Sequence, residues 1–116
     1  MTPPLQAPAF GAIGWLDFDP QAGREQAGRR PALVLSQSRY NQRIGLAIFC
    51  PITSRQKGYP FELLLPHGLP ISGVVLCDQA RSLDWRFRRW EPVCSLDSEV
   101  VEHAIAKLTT LFGDEP

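Results

Sequence analysis

The sequence predicts a mainly β protein with some α-helix: a small β-barrel or curled sheet, against which a C-terminal helix packs. Three observations predict this class. About six short apolar runs are separated by turn residues. One segment near the C-terminus repeats its apolar residues at helical spacing. The 116 residues, 44% hydrophobic and 21% charged, have the size and composition of one globular domain. We assign that domain to residues 11–116 and predict that residues 1–10 form a flexible, proline-rich lead-in.

The first two predicted strands flank a polar loop. Residues 13–18 form a short β-type run that ends at Asp19-Pro20. Residues 31–36 are almost wholly apolar, as expected of a buried strand. Between them, residues 21–30 are polar and contain two glycines, which predicts an exposed loop. Loops of this length in compact domains are often functional.

The middle of the chain predicts further short strands. Residues 37–43 are polar and predict a turn, and residues 45–53 predict the third strand. Pro51 lies near the end of that strand and predicts an edge or a bulge there, because proline has no N–H to give to a ladder. The later predicted elements are a loop at 54–60, a strand at 61–65, a loop at 66–72, a strand at 73–77, a turn or short helical piece at 78–85 and an irregular strand at 86–94.

The final segment predicts one amphipathic helix. Its apolar residues recur every three or four positions and form a single face. Asp97 or Ser98 can cap the N-terminus, Glu99 suits the first turn, and Gly113 suits the stop. The residues of the predicted apolar face are Val101, Ala104, Ile105, Leu108, Leu111 and Phe112.

Several classes of protein are not indicated. No apolar run approaches the roughly 18–20 residues of a membrane span, and the N-terminus resembles neither a signal nor a transit peptide. Cys50, Cys77 and Cys94 are far apart and in apolar surroundings, which predicts reduced thiols in a cytoplasmic protein and no zinc site. His67 and His103 show no metal-ligand or catalytic spacing and are predicted at the surface. Phosphate-binding glycine motifs are absent, so we expect no metal and no cofactor.

A net charge of zero conceals strong segregation of charge along the chain. Residues 24–57 carry +6, residues 81–89 carry +3, and residues 91–116 carry −5. Ten of the 12 basic residues are arginine, whose planar fork suits phosphate and stacks on bases. The arginine-rich middle therefore indicates an anionic partner, with nucleic acid as one candidate and pairing with the acidic tail as the alternative.

Polar side chains gather where three predicted strands begin or end. If these ends meet at one rim of the barrel, arginine, hydroxyl, carboxylate and amide groups converge there. Such a site suits phosphodiester chemistry, which needs charge stabilisation at phosphorus more than a covalent nucleophile. The residues concerned are Glu25, Gln26, Arg29, Arg30, Thr53, Ser54, Asp78 and Gln79.

Four motifs, in order along the chain, resemble those of the MazF/PemK (Kid) toxin family. They are IGWLDFDP with EQAGRRPALVLS at residues 13–36, CPITS at 50–54, KGYPFE at 57–62 and GVVLCDQARSLDWR at 73–86. The resemblance covers roughly residues 11–112. It implies a compact SH3-like barrel with helices, which works as a homodimer. It also implies a toxin: a ribosome-independent, metal-independent endoribonuclease that cuts single-stranded RNA (mRNA) at a short sequence and is neutralised by a MazE-type antitoxin.

The resemblance also implies roles for individual residues. The arginine of the family's Arg-Pro step falls on Arg30, the threonine of its Pro-x-Thr step on Thr53, and the aspartate of its Cys-Asp-Gln step on Asp78; these are the predicted catalytic residues. Such an enzyme uses the RNA's own 2′-hydroxyl as nucleophile and leaves 2′,3′-cyclic phosphate and 5′-hydroxyl ends. The residues predicted to bind RNA are Glu25, Gln26, Arg29, Ser54, Gln79 and Arg86.

The sequence departs from the family pattern at two positions. Ala12 stands where many relatives have aspartate, and Leu76 stands where some have arginine. If the missing carboxylate orients the loop at residues 21–30, that loop loses order; if it only stabilises the turn, activity survives. Arg30 is suited to stabilise charge but is a poor base, because a guanidinium holds its proton tightly. Either its site perturbs it strongly, or another group takes the proton. Glu25 and Asp78 are the candidates for that other group.

Three questions stay open at this point. The first is whether Trp15, Trp85 and Trp90 fill the core or a dimer contact, or stack on bases. The second is whether the chain is instead a non-catalytic binder on the same fold, of the kind that poisons DNA gyrase, since a fold does not determine a function. The third is whether it is an inactive member that sequesters antitoxin.

Overall fold

The structure, a computed structural model, describes residues 6–18 and 28–115. The described part of the chain contains two α-helices and a 3-10 turn at Cys77–Gln79. The helices are Ser38–Ile44 (α1) and Ser98–Thr109 (α2). Its strands are Ala12–Asp17 (β1), Arg29–Val34 (β2), Leu46–Thr53 (β3), Glu62–Leu64 (β4), Val74–Leu76 (β5), Arg81–Asp84 (β6) and Glu91–Ser95 (β7).

The strands form one antiparallel sheet in the order β4-β5-β3-β2-β1-β7, and β6 also pairs with β3. Among the described residues no ladder joins β4 to β7, so the sheet is not closed into a barrel. The predicted class, mainly β with a packed C-terminal helix, is confirmed. The closed barrel, one of the two predicted forms, is not what the pairing shows.

Strand β3 is the centre of the sheet and pairs on both edges. Cys50 is paired with Leu33 of β2 on one edge, whereas β5 and β6 lie along the other. The 3-10 turn interrupts this second edge, because it inserts extra residues between the β5 and β6 ladders. The prediction that Pro51 lies in an edge strand is therefore wrong, because β3 is central. The irregularity lies in the neighbouring edge, where the 3-10 turn stands opposite Pro51.

Both faces of the sheet are covered by apolar side chains. Strand alternation sends Leu33 into a cluster that includes Val101 and Ala104 of α2, and sends Ala32 and Val34 into a second cluster around Phe49. This explains why residues 31–36 read as a continuous apolar run.

The polar segment after β2 is a helix, α1, where the sequence predicted a turn. Only Asn41 of α1 is buried, so the helix lacks the apolar stripe that periodicity detects. Asn41 instead makes a polar network: its Nδ2 donates to the carbonyl of Pro8 (2.8 Å), and its Oδ1 accepts from the hydroxyl of Ser36 (2.6 Å). Gly45 ends α1 in the left-handed region (φ 81°), which glycine adopts without strain.

The C-terminal helix is shorter than predicted. It ends at Thr109, so Leu111 and Phe112 lie beyond it and are exposed. Asp97 occupies the N-cap position but makes no side-chain capping bond. The segment predicted as one irregular strand contains a turn and then β7, and the strand β6 was missed. The short, mostly polar sequence of β6 gives little periodicity to detect.

Candidate functional site

Two adjoining cavities share three residues, Arg30, Thr53 and Ser54, and so form one groove. The smaller cavity, about 480 Å³, extends from these residues towards Trp15 and Ser72. The larger cavity is about 880 Å³. Its remaining lining residues are Arg55, Lys57, Tyr59, Glu62, Leu76 and Gln79.

Arg30 enters the groove from β2, where it is paired with Leu16 of β1. Its neighbour Arg29 is held by two carboxylates: Asp17 at 3.1 Å and Glu91 at 3.1 Å. The positive charge of Arg29 is thus balanced within the protein, although the residue also lines the smaller cavity. Its predicted contact with RNA stays a prediction.

Asp17 lies at the end of β1, where three arginines converge on it. Arg89 contacts its carboxylate through two nitrogens, at 2.8 and 3.2 Å, and Arg88 donates to its backbone carbonyl at 3.2 Å. The hydrogen bond from Arg89, with that from Arg29, holds the pKa of Asp17 below its usual value. These bonds fix the end of β1 against the β6–β7 turn.

Thr53 ends β3 and is buried, but its side chain borders both cavities. Its Oγ1 accepts a hydrogen bond from the backbone N–H of Arg55 at 3.2 Å. A hydroxyl that accepts in this way still has its own proton to donate. Gly73 lies against the backbone of Thr53 so closely that a β-carbon at position 73 overlaps its carbonyl.

The 3-10 turn carries two more residues of the predicted strand-end cluster, Asp78 and Gln79. Gln79 lines the larger cavity, whereas Asp78 lines neither. Asp78 Oδ1 is buried and has no hydrogen-bond partner among the described residues.

Two buried cysteines, Cys50 and Cys77, lie beside the 3-10 turn or within it. The pKa of Cys50 is raised mainly by burial and also by the neighbouring Cys77 and Asp78, and burial raises the pKa of Cys77 to about 11. Both thiols are free and buried, an environment typical of structural cysteines.

The three tryptophans lie in three different environments. Trp15 is 38% exposed and lines the smaller cavity, so it does not fill the core, which was one of the roles left open for it. Trp85 is buried and donates from its indole N–H to the carbonyl of Asn41 at 2.9 Å. Trp90 packs on Phe49 at 5.4 Å between ring centres.

Arg86, which was predicted to bind RNA, lies outside the groove. It lies on the β6–β7 turn, lines neither cavity, and places its guanidinium 4.9 Å from the ring centre of Trp85. Glu25 and Gln26 lie outside the described residues, and their predicted contacts with RNA stay predictions. Groove residues that were not candidates in the sequence analysis include Arg55, Lys57 and Tyr59. The KGYPFE motif contains Lys57 and Tyr59, whereas Arg55 lies between that motif and CPITS.

Neither a metal cluster nor a membrane helix is found in residues 6–18 and 28–115. No three histidine, cysteine, aspartate or glutamate side chains there come together as metal ligands. None of the helices is both long and apolar enough to cross a bilayer. The two histidines, His67 and His103, are exposed, as predicted.

Residues 9–112 match the profile of a family described as the PemK-like, MazF-like toxins of type II toxin–antitoxin systems. This chain belongs to that family. The match covers β1 to α2 and every residue that lines the groove. The family assignment made from the four motifs is therefore confirmed.

Relatives of known function in the MazF/PemK family are named endoribonucleases. The endoribonuclease toxin MazF of Escherichia coli K12 is 42% identical over 106 residues, which is 91% of this chain and 95% of the relative. Among solved structures, MazF from Deinococcus radiodurans superposes with a TM-score of 0.87 and 54% identity, covering 90% of this chain and 96% of that one. A MazE–MazF complex from the same organism gives 0.83 and 53%, covering 94% and 98%.

Proposed function

We propose that this protein is a sequence-specific, metal-independent endoribonuclease toxin that cleaves single-stranded RNA, such as mRNA, in the cytoplasm. The observation that carries the proposal is the position of Arg30 and Thr53 on adjacent strands, at the junction of two cavities. A groove that continues on both sides of this pair suits a chain that is cut in its middle. The relatives named as endoribonucleases support the same activity.

The proposed reaction transfers the phosphoryl group within the RNA. The 2′-oxygen attacks the adjacent phosphorus, the bond from phosphorus to the 5′-oxygen breaks, and the products carry a 2′,3′-cyclic phosphate and a 5′-hydroxyl. The 2′-hydroxyl gives its proton to a base, and the departing 5′-oxygen gains one. The protein must align the attack and stabilise the charge that develops on the phosphoryl oxygens.

Arg30 and Thr53 supply the charge stabilisation. The guanidinium of Arg30 offers fixed N–H donors that match a phosphoryl group. The hydroxyl of Thr53, oriented by the N–H of Arg55, donates its proton to a non-bridging oxygen. Both groups sit on strands of the sheet and need little reorganisation during the reaction.

Glu25 and Asp78 are the two candidate bases, and their variants distinguish them. Asp78 lines neither cavity, so this role requires its carboxylate to reach the groove when RNA binds. Replacing the base by its amide, Glu25→Gln or Asp78→Asn, removes the acidic limb of the pH profile of cleavage. The same change at the other carboxylate leaves that limb in place.

RNA binding comes from cations and aromatic rings along the groove. Arg55 and Lys57 line the larger cavity with Tyr59, and Trp15 lies in the smaller one. Stacking of a base on such a ring contributes roughly 1–3 kcal/mol. The protein acts as a homodimer, and an acidic segment of a MazE-type antitoxin competes with RNA for the groove. Complexes of the Deinococcus relative with MazE support this partner.

The direct test is cleavage of a long single-stranded RNA in excess EDTA, followed by sequencing of the fragment ends. We expect cuts at one short motif that leave 5′-hydroxyl ends, and no cuts by Arg30→Ala or Thr53→Ala. Arg39→Ala, which removes an exposed arginine of α1, is the matched control and should cut normally. Failure of the folded wild-type protein to cut any RNA contradicts the proposal, and it favours a target-binding or antitoxin-sequestering toxin.

A further inference from the structure

We infer that Glu62 is a positioning residue for RNA recognition: its carboxylate holds residues 57–59 in the shape that forms the wall of the larger cavity. The inference rests on the proposed function and adds a determinant of RNA affinity outside the predicted catalytic and RNA-binding residues.

The carboxylate of Glu62 accepts hydrogen bonds from three consecutive backbone N–H groups. Its Oε1 lies 2.9 Å from the nitrogen of Gly58, 3.2 Å from that of Lys57 and 3.3 Å from that of Tyr59. Its Oε2 lies 3.0 Å from the nitrogen of Lys57. Successive N–H groups that converge on one anion form a nest, and bonds to a charged acceptor are stronger than neutral ones.

The segment held by this nest presents groove residues. The side chains of Lys57 and Tyr59 both line the larger cavity. Gly58 between them has φ 79°, a conformation that glycine adopts without strain. The loop is thus bent by glycine and held by Glu62, so that a cation and an aromatic ring face the same cavity.

Two further contacts support the same loop. The Tyr59 ring meets Phe61 edge-on, 5.7 Å between centres and 60° between planes. The Nζ of Lys107, on α2, donates to the carbonyl of Pro60 at 2.9 Å. A wall held from β4 and from α2 is preorganised, and preorganisation strengthens binding because less ordering is needed when the ligand arrives.

The direction in which RNA affinity changes when Glu62 loses its charge distinguishes a positioning role from a direct electrostatic effect. Glu62 is negative and borders a groove for an anionic ligand, so its charge alone opposes RNA binding. A variant without that charge should bind RNA more tightly if electrostatics alone matter. If Glu62 acts by holding the loop, the same variant binds more weakly.

The test compares Glu62→Gln and Glu62→Asp with wild type. Glu102→Gln, which removes the same charge from the exposed face of α2, is the matched control. Affinity is measured by fluorescence anisotropy with a 2′-O-methyl RNA, which cannot be cut, and loop order by hydrogen exchange at the amides of residues 57–59. We expect both Glu62 variants to exchange faster at these amides and to bind RNA about tenfold more weakly, because hydrogen bonds to a charged acceptor are lost.

The KM and kcat of RNA cleavage give a second test of the positioning role. KM for cleavable RNA rises about as much as Kd does, while kcat at saturating RNA and the unfolding midpoint stay near wild type, because Arg30 and Thr53 are held by other strands. Tighter RNA binding by Glu62→Gln, unchanged exchange at residues 57–59, or a loss confined to kcat overturns the inference. Wild-type protein that neither binds nor cuts RNA contradicts the proposed function instead, and the exchange rates then still test the role of Glu62 in the loop.

Discussion

At the scale of single residues, the hydroxyl of Thr53 illustrates how local geometry restricts a role. One lone pair of its Oγ1 faces the N–H of Arg55, so the hydroxyl proton is left to donate into the groove. Thr53→Val keeps the shape and removes this donor. We expect its cleavage rate to fall roughly 100-fold, in line with the loss of one donor to a developing oxyanion.

The matched variant for this prediction is Thr53→Ser, which keeps the hydroxyl. Single-turnover rates at saturating RNA measure the effect, and circular dichroism checks the fold. Equal rates for Thr53→Val and wild type contradict a role for the hydroxyl in the reaction.

Asp17 gives a prediction about acid stability. Its pKa is lowered in the folded state, chiefly by the hydrogen bond from Arg89, so its contribution to stability is present above the unfolded pKa near 3.8 and is lost as pH falls through the folded value. Asp17→Asn should therefore unfold more easily than wild type at pH 7, and the gap should narrow as pH falls through the folded pKa of Asp17, which lies below 3.8. Urea unfolding at pH 7 and at a series of acidic pH values measures this, with Asp114→Asn as the exposed control. A gap that is constant with pH contradicts the account.

At the scale of secondary-structure elements, the groove depends on a close approach between β3 and the start of β5. Gly73 has φ 123°, and a β-carbon there lies 2.9 Å from the carbonyl carbon of Thr53 and 3.2 Å from the Cα of Ser54. Gly73→Ala must push these residues away. We expect a loss of both stability and RNA cleavage, measured by thermal unfolding and by the cleavage assay.

The control for this prediction is Gly68→Ala, because Gly68 also has positive φ (93°) but nothing within 4 Å of an added β-carbon. It should lose some stability from backbone strain and keep full cleavage activity. Equal losses of activity in the two variants would show that strain, and not contact with Thr53, is the cause.

Helix α1 depends on one buried polar side chain. Asn41 joins α1 to the N-terminal segment through Pro8 and to the end of β2 through Ser36. Asn41→Ala leaves these groups buried without their partner and should lower the free energy of unfolding by about 2–3 kcal/mol. Asn41→Asp is a useful second variant, since it keeps the acceptor for Ser36 and loses the donor for Pro8. An unfolding free energy within about 0.5 kcal/mol of wild type in Asn41→Ala contradicts the network's importance.

Elements with a continuous or periodic apolar pattern were predictable from sequence. Strands β1, β2 and β3 and helix α2 lie where their patterns indicated, because burial of those side chains drives their formation. Helix α1 and strand β6 were not predictable in this way. Their stability comes from hydrogen bonds with distant segments, which a local pattern does not contain.

At the scale of the whole molecule, the sheet order brings together motifs that are distant in sequence. The Arg-Pro and Pro-x-Thr motifs meet because β2 and β3 are adjacent, and Gln79 joins them because the 3-10 turn interrupts the edge of β3. Sequence motifs predicted this convergence. The shape of the larger cavity was not predictable, because it depends on side-chain-to-backbone bonds such as those of Glu62.

The charge pattern also has a different meaning in three dimensions. Arg88 and Arg89 hold Asp17 and line neither cavity. Arg29 also holds Asp17 and lines the smaller cavity. Arg30, Arg55 and Lys57 line the larger cavity. A count of basic residues along the chain does not show these different positions.

In the proposed mechanism, the groove at Arg30 and Thr53 cleaves RNA through the RNA's own 2′-hydroxyl. The most direct measurement uses two oligonucleotides with the mapped cleavage sequence that differ only in one 2′-hydroxyl, present or replaced by hydrogen at the cut position. We predict that wild-type protein binds both with similar affinity, and that it cuts only the first, leaving a 2′,3′-cyclic phosphate. Cleavage of the 2′-deoxy oligonucleotide at the same position would contradict this mechanism.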